Sequence, residues 1–158
     1  MLALQGNLAG TYAKVGRQQQ ALQMERDVYS SHLKRFGEED RITIRSASNY
    51  AASLIMEKRF KEAKSLLRRT IPIARRVLGE GNEVSLGMRS NYGRVLCQCR
   101  DATLDDLREA VTTLEETERT ARRVLGGAHP LVERTWEFLR SSRTILDASD
   151  QASTAHEK

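Results

Sequence analysis

The sequence predicts an all-α fold of about seven helices, arranged as antiparallel hairpins that stack on one another. Apolar residues recur at the three- and four-residue spacing of a helix along most of the chain, and only two of its 158 residues are proline. A sequence pattern also recurs with a period of 42 residues. Because one hairpin cannot bury its apolar face alone, this period predicts neighbours that share a continuous core.

Two short motifs define the repeat. One lies near the middle of each first helix and occurs as Asn7-Leu8-Ala9, Asn49-Tyr50-Ala51 and Asn91-Tyr92-Gly93. The other closes each second helix and occurs as Arg35-Phe36-Gly37, Val77-Leu78-Gly79 and Val124-Leu125-Gly126. The last interval is 47 residues because five extra residues lie between Arg100 and Leu107. These motifs place repeats at about 1–40, 41–82 and 83–129, followed by a capping helix at 130–147.

The helices follow in order, each with its own local signals. The second helix of each repeat ends in a basic turn and a glycine, where cations favour the helix dipole and glycine permits a left-handed cap. Pro130 opens the last helix, where proline costs little. The polar segment 148–158 lacks apolar spacing and is predicted to be disordered. The predicted helices span 2–15, 18–35, 41–57, 60–78, 83–99, 104–125 and 130–147.

Composition excludes several classes of protein. No apolar run approaches the roughly 20 residues that cross a bilayer, and the first residues lack the basic start and apolar stretch of a signal peptide. We therefore predict a cytoplasmic protein without a membrane partner. Cys97 and Cys99 point to different sides of one helix, and no Cys/His cluster adds the further ligands that zinc needs. They are interpreted as reduced thiols.

The sequence offers no catalytic constellation. His32, His129 and His156 are far apart, and the phosphate-loop, dinucleotide, zinc-protease and serine-hydrolase motifs are missing from the sequence. His129 fits a turn between helices, so we assign it a structural role. The prediction is a protein that is not an enzyme and that holds no metal or cofactor.

These motifs resemble the tetratricopeptide family, in the 42-residue form found in kinesin light chains. The family pattern is roughly N-L-A-x-x-Y-x-x-x-G-x-Y-x-x-A, followed by a second helix that ends L-G-x-x-H-P. The resemblance covers residues 4–147 and is carried by Asn7-Leu8-Ala9, Tyr12, Gly16, Ala21, Asn49, Ala51, Phe60, Ala63 and Leu125-Gly126-Gly127-Ala128-His129-Pro130. It implies a right-handed α-solenoid of stacked hairpins that binds a peptide or protein partner.

Some positions depart from the family pattern. Glu39-Asp40-Arg41 and Gly81-Asn82-Glu83 stand where the family has x-H-P, and Phe138 stands at the asparagine position of the last helix. Leu54 and Leu96 replace a tyrosine. These departures bear on the identity of the ligand more than on the fold.

The resemblance also implies a site. In this family the first helices line a concave groove that holds an extended peptide. The groove candidates carried over to this chain are Asn7, Lys14, Arg45, Ser48, Asn49, Ser90, Asn91, Arg94 and Arg134. A side-chain amide offers two donors and one acceptor, so a row of asparagines suits a peptide backbone. The alternative is that each asparagine bonds the neighbouring repeat and sets the packing.

Charge indicates an acidic partner. The chain carries a formal charge of +5, and residues 41–82 hold ten Lys/Arg against three Asp/Glu. Arg45, Arg94 and Arg134, with Lys14, favour an acidic peptide. The lysines and arginines of helix 60–78 have a plainer interpretation, since a run of charge on a helix is usually a solvated face.

Two other functions stay open at this stage. The basic middle repeat suggests nucleic acid, although the few aromatic residues and the repeat length disfavour it. The apolar residues of the last helix suggest that the chain is a structural segment of a larger protein or self-associates there: Trp136, Phe138, Leu139, Ile145 and Leu146.

Overall fold

A computed structural model describes residues 18–156 of the chain. Within that range the backbone forms six helices and no strand, so the all-α prediction is confirmed. The helices are α1 (Gln18–Phe36), α2 (Arg41–Met56), α3 (Phe60–Leu78), α4 (Glu83–Gln98), α5 (Leu104–Leu125) and α6 (Pro130–His156). The predicted helix at 2–15 lies outside the described residues. No described helix combines the length and apolar character needed to span a bilayer.

The helices group into two compact units. One unit ends at Met88 and the other begins at Arg89, so the division falls inside α4. In the first unit α2 packs against both α1 and α3. In the second unit α5 packs against α6.

Three helices begin with the same side-chain hydrogen bond. Asp40 Oδ1 accepts the backbone N–H of Ile42 at 2.7 Å, and Asn82 Oδ1 accepts that of Val84 at 3.0 Å. His129 Nδ1 accepts the N–H of Leu131 at 3.2 Å. Each acceptor satisfies an amide that the first helical turn leaves without a partner. The structural role assigned to His129 is therefore visible at the start of α6.

The ends of α3 and α5 confirm the predicted glycine caps. Gly79 and Gly126 have φ of 98° and 88°, a region that side chains with a Cβ rarely adopt. Their N–H groups bond the carbonyls of Arg75 and Arg122. Both carbonyls belong to residues of the basic last turn.

The core of the first unit is built from one face of each helix. On α3, Ala63, Leu67 and Ala74 are fully buried, while the opposite face is exposed and basic. Tyr29 of α1 stacks on Tyr50 of α2 with ring centroids 5.9 Å apart. The amphipathic spacing of these helices thus fixes which side meets the core.

The core of the second unit depends on a close approach of α4 to α5. Gly93 is buried, and a Cβ built on it would lie 2.5 Å from Cγ of Leu114, which is itself fully buried. Leu131, Val132 and Leu139 present the buried face of α6. A residue without a side chain at 93 therefore sets the distance between two helices.

The last helix is longer than predicted. α6 continues to His156, beyond the predicted end at 147, so much of the segment predicted to be disordered is helical. Polar contacts lie in this extension. Arg108 of α5 pairs with Asp150 at 3.3 Å, and Ser149 Oγ donates to the carbonyl of Ile145 within the helix. The prediction of disorder from the absence of apolar spacing was therefore wrong for residues 148–156.

Glu25 is a buried acid in α1. Its side chain is 4% exposed, and Oε2 has no hydrogen-bond partner among the described residues. Burial disfavours the charged form and raises the pKa of Glu25 from 4.5 to about 7. The folded state therefore prefers the protonated carboxyl.

We predict that Gly93→Ala lowers the free energy of unfolding by about 1–3 kcal/mol, because the new methyl group overlaps Leu114. Gly87→Ala on the same helix is the matched control, since nothing lies within 4 Å of a Cβ there. The free energy of unfolding of the control should rise by about 0.5–1 kcal/mol, because alanine has a higher helix propensity than glycine. Urea unfolding measures both, and equal shifts for the two variants would contradict the close approach.

We predict that Glu25→Gln becomes more stable relative to the parent as pH rises. The folded pKa lies above the unfolded one, so the stability contributed by the protonated carboxyl is complete below about pH 4.5 and is lost as pH rises through about 7. The difference in unfolding free energy should grow by about 1–3 kcal/mol between pH 5 and 8. Urea unfolding at several pH values tests this. The exposed Asp27→Asn is the control, and a difference that stays flat with pH refutes it.

Candidate functional site

The exposed face of α2 carries four side chains in one stripe. Ile42, Arg45, Asn49 and Met56 follow one another at helical spacing, and all four are exposed. The helix is held at its start by Asp40 and packs by its opposite face through Ile44, Ala47, Ala51 and Leu54. The stripe thus presents a cation and an amide between two apolar side chains.

The asparagine side chains are not used for packing where the structure describes them. Asn49 is exposed and Asn91 is half-buried. Neither side-chain amide makes a hydrogen bond within residues 18–156. Among the described residues, both amides thus have their donors and acceptor unused.

In the second unit two predicted site residues lie close together. The Arg94 guanidinium stacks over the ring of Phe138, 5.2 Å from its centroid, and its Nε donates to Gln98 Oε1 at 3.1 Å. Burial, and then the charge of Arg134, lower the pKa of Arg94. In the part of the chain that is described, neither arginine has a carboxylate partner. Two like charges held near each other attract an anion.

Ser90 is a correction to the predicted site. It is fully buried, and its Oγ lies 2.9 Å from Thr135 Oγ1. Thr135 is also fully buried and donates to the carbonyl of Leu131. Ser90 therefore ties α4 to α6 and is enclosed in the core, because it lies one position toward the core from Asn91. Asn7 and Lys14 lie outside the described residues.

The remaining predicted residues differ in exposure. Arg45 and Arg134 are exposed, and Ser48 is half-buried. Arg45 makes no ion pair with any residue that the structure describes. The two arginines belong to different units.

Sequence reasoning missed two members of these surfaces. Ile42 was not selected, although it lies three residues before Arg45 and so on the same face of the helix. Phe138 was noted as a departure from the asparagine position and as an apolar residue of the last helix, but not as part of a site. A ring at that position, beside a helix that carries an arginine, was the available signal for the stacking with Arg94.

The described residues contain no group of three or more His, Cys, Asp or Glu placed to hold a metal ion. The Cys97 thiol lies 2.9 Å from Ser142 Oγ, and burial raises its pKa. A thiol with a raised pKa is a poor nucleophile at neutral pH. The side chain therefore serves the contact between α4 and α6.

Comparison with known protein families identifies the 42-residue repeat. The family model described as tetratricopeptide repeat matches residues 1–41 and 43–82. No curated protein sequence matches the chain.

Solved structures share the fold. The crystal structure of BtubC (BKLC) from P. vanneervenii is similar with a TM-score of 0.68 at 14% identity, over 99% of this chain and 64% of that one. A putative kinesin light chain from Podosopora anserina, with nearly identical TPR-like repeats, has a TM-score of 0.55 at 19% identity, over 99% and 92% of the two chains. A second crystal structure of that protein gives the same TM-score and identity, with 91% of it covered. The chain thus spans less than two thirds of the length of BtubC. At these low sequence identities, the similarity shows a shared fold and nothing further.

Proposed function

Because this chain belongs to the tetratricopeptide repeat family, we propose that it is a scaffold that binds an acidic peptide segment of a partner protein. The repeats of this family are in general protein-interaction modules and typically non-catalytic. The finer assignment, to an acidic segment held by the first helix of each repeat, is supported by the exposed side chains of α2 and of the second unit. The partner segment would order on a preformed surface.

The observation that carries the proposal is the pair of asparagines whose amides make no hydrogen bond among the described residues. Asn49 and Asn91 are 42 residues apart and so occupy the same position of successive repeats. An amide can hold the backbone of an extended peptide without selecting its side chains. The alternative, in which these amides serve packing between repeats, finds no hydrogen bond to support it in the described range.

The charge of the partner follows from the cations beside these amides. Arg45 lies one turn before Asn49 on α2. Arg94 lies three residues after Asn91 and close to Arg134. An acidic side chain would relieve the repulsion between Arg94 and Arg134 and would gain a charge-assisted hydrogen bond.

A peptide library with acidic and neutral members, displayed to the immobilised protein at low and physiological salt, tests the proposal. Enrichment of acidic peptides that weakens with salt supports it, since salt screens exposed charges. Enrichment of neutral peptides alone, or of none, contradicts it.

We predict that Arg45→Glu combined with Asn49→Ala weakens binding of an enriched peptide by at least about tenfold and leaves the helix content unchanged. The change removes one attraction, adds a repulsion and deletes one amide. Fluorescence anisotropy measures the affinity, and circular dichroism measures the helix content.

The matched control is Gln23→Ala with Arg26→Glu on α1, because Gln23 and Arg26 are also exposed and the net charge changes equally. We expect the control to bind within about threefold of the parent. A folded α2 variant with unchanged affinity would rule out the α2 stripe as a binding surface.

A second candidate function is self-association through α6. Trp136 and Ile145 are 46% and 40% exposed on this helix, although a Trp is usually covered. Sedimentation over a range of protein concentrations separates this candidate from the first. A mass that rises with concentration in the parent, and stays constant in Trp136→Ser with Ile145→Ser, would favour self-association.

A further inference from the structure

The side of α3 that faces away from the core carries cations from its first turn to its last, with the exposed Pro72 between Arg69 and Arg75. The cations fall at helical spacing on one face: Lys61, Lys64, Arg68, Arg69, Arg75 and Arg76. The only carboxylate of the helix, Glu62, lies beside this face and pairs with Arg59 at 2.6 Å. From Lys61 to Arg76 the row measures about 22 Å at the helical rise.

The arginines in the last turn of α3 have carboxylate partners, and those in its middle do not. Arg75 bonds Glu80 and Arg76 bonds Glu39, both at 2.6 Å and both exposed. Arg69 donates to the hydroxyl of Tyr29 at 2.8 Å, which leaves its charge without a carboxylate. Arg68 makes neither an ion pair nor a hydrogen bond inside the described part of the chain.

The first half of this face also contains a depression. Lys61, Lys64, Ser65, Arg68 and Arg69 line an open depression of about 390 Å³. Several cations therefore surround a space that a chain of anionic groups can enter.

We propose that this basic face of α3 is a second docking surface, which takes an acidic, extended segment of a protein. It lies on a different helix from the α2 stripe, and the proposal rests on the proposed function only in taking the partner to be a protein. Alternate side chains of an extended chain lie about 6.6 Å apart on one side, and the cations of a helix face lie about 5–6 Å apart. Acidic side chains at alternate positions thus match the row.

The width of the row favours one polypeptide over a membrane or a duplex. The row is one helix wide and is bordered by carboxylates at both ends: Glu62 near the start of α3, and Glu39 and Glu80 near its end. A membrane surface or a nucleic-acid duplex is wider than one helix and would bring its phosphates against these carboxylates. The exposed face of α3 also carries no aromatic side chain on which the bases of a single strand could stack.

The test uses a labelled oligoglutamate of about ten residues, long enough to span the row when extended. Fluorescence anisotropy at low and physiological salt gives its affinity for the full chain. Lys61→Glu with Arg68→Glu reverses two exposed charges in the first half of the face. Lys61 lies in the first turn of α3, where a carboxylate is favourable, so the variant should fold.

Arg119→Glu with Arg123→Glu on α5 is the matched control, because both arginines are exposed and the change in net charge is the same. We expect the α3 variant to weaken oligoglutamate binding by at least about tenfold and the control by less than about threefold. Equal weakening in both variants would show that net charge alone attracts the probe and would overturn the proposal. So would absence of binding to the parent.

Two further arms separate the other possibilities. If a duplex DNA oligomer or phosphatidylserine vesicles bind the parent more tightly than oligoglutamate does, and the α3 variant loses that binding, the face is assigned to that partner and the protein assignment is overturned. Because the α3 face stays intact in Arg45→Glu with Asn49→Ala, this variant should keep more of the oligoglutamate affinity than the α3 variant does. If that variant loses the probe and the α3 variant keeps it, the α3 inference fails while the α2 stripe stands. Library peptides that bind the parent and Arg45→Glu with Asn49→Ala equally well would instead reject the α2 stripe alone.

Discussion

The close packing of paired helices is the constraint on which the other features depend. Small residues permit it: Ala51 and Ala63 are completely buried in the first unit, and Gly93 leaves the space that Leu114 fills in the second. A helix that buries one stripe this tightly has no freedom to rotate, so its opposite face is fixed as well. The exposed stripe of α2 and the basic face of α3 are therefore consequences of the same alanines and glycines that build the core.

The helix starts explain why departures from the family pattern leave the fold intact. Asp40, Asn82 and His129 occupy equivalent repeat positions, and each accepts the N–H two residues later. The physical requirement at this position is a side-chain acceptor on a short stem, and a carboxylate, an amide and an imidazole all meet it. Helix bounds were predictable from sequence for that reason: α2 was expected at 41–57 and spans Arg41–Met56.

Predicting the site was harder than predicting the helices. Spacing along α2 gives the exposed direction of Arg45 and Asn49, because they are four residues apart on one face. Spacing cannot tell which neighbour covers the next position, and Ser90 is enclosed by Thr135, which lies 45 residues later in the chain. The contact of Phe138 with Arg94 and the ion pair of Asp150 with Arg108 share this origin, because each joins segments that are distant in the sequence.

The two faces of the first unit suit different parts of one binding event. Exposed lysines and arginines act over about 10 Å at ordinary salt, so the proposed α3 surface would accelerate encounters with acidic chains. The amide of Asn49 acts only at hydrogen-bond distance and needs a backbone placed against α2. Arg45 combines the two properties, because its charge reaches as far as those of α3 and it lies one turn from Asn49 on α2. Because α2 packs directly on α3, a partner of the proposed kind, with an acidic stretch and an extended segment, would gain attraction from one helix and register from the other, which a uniformly basic surface cannot provide.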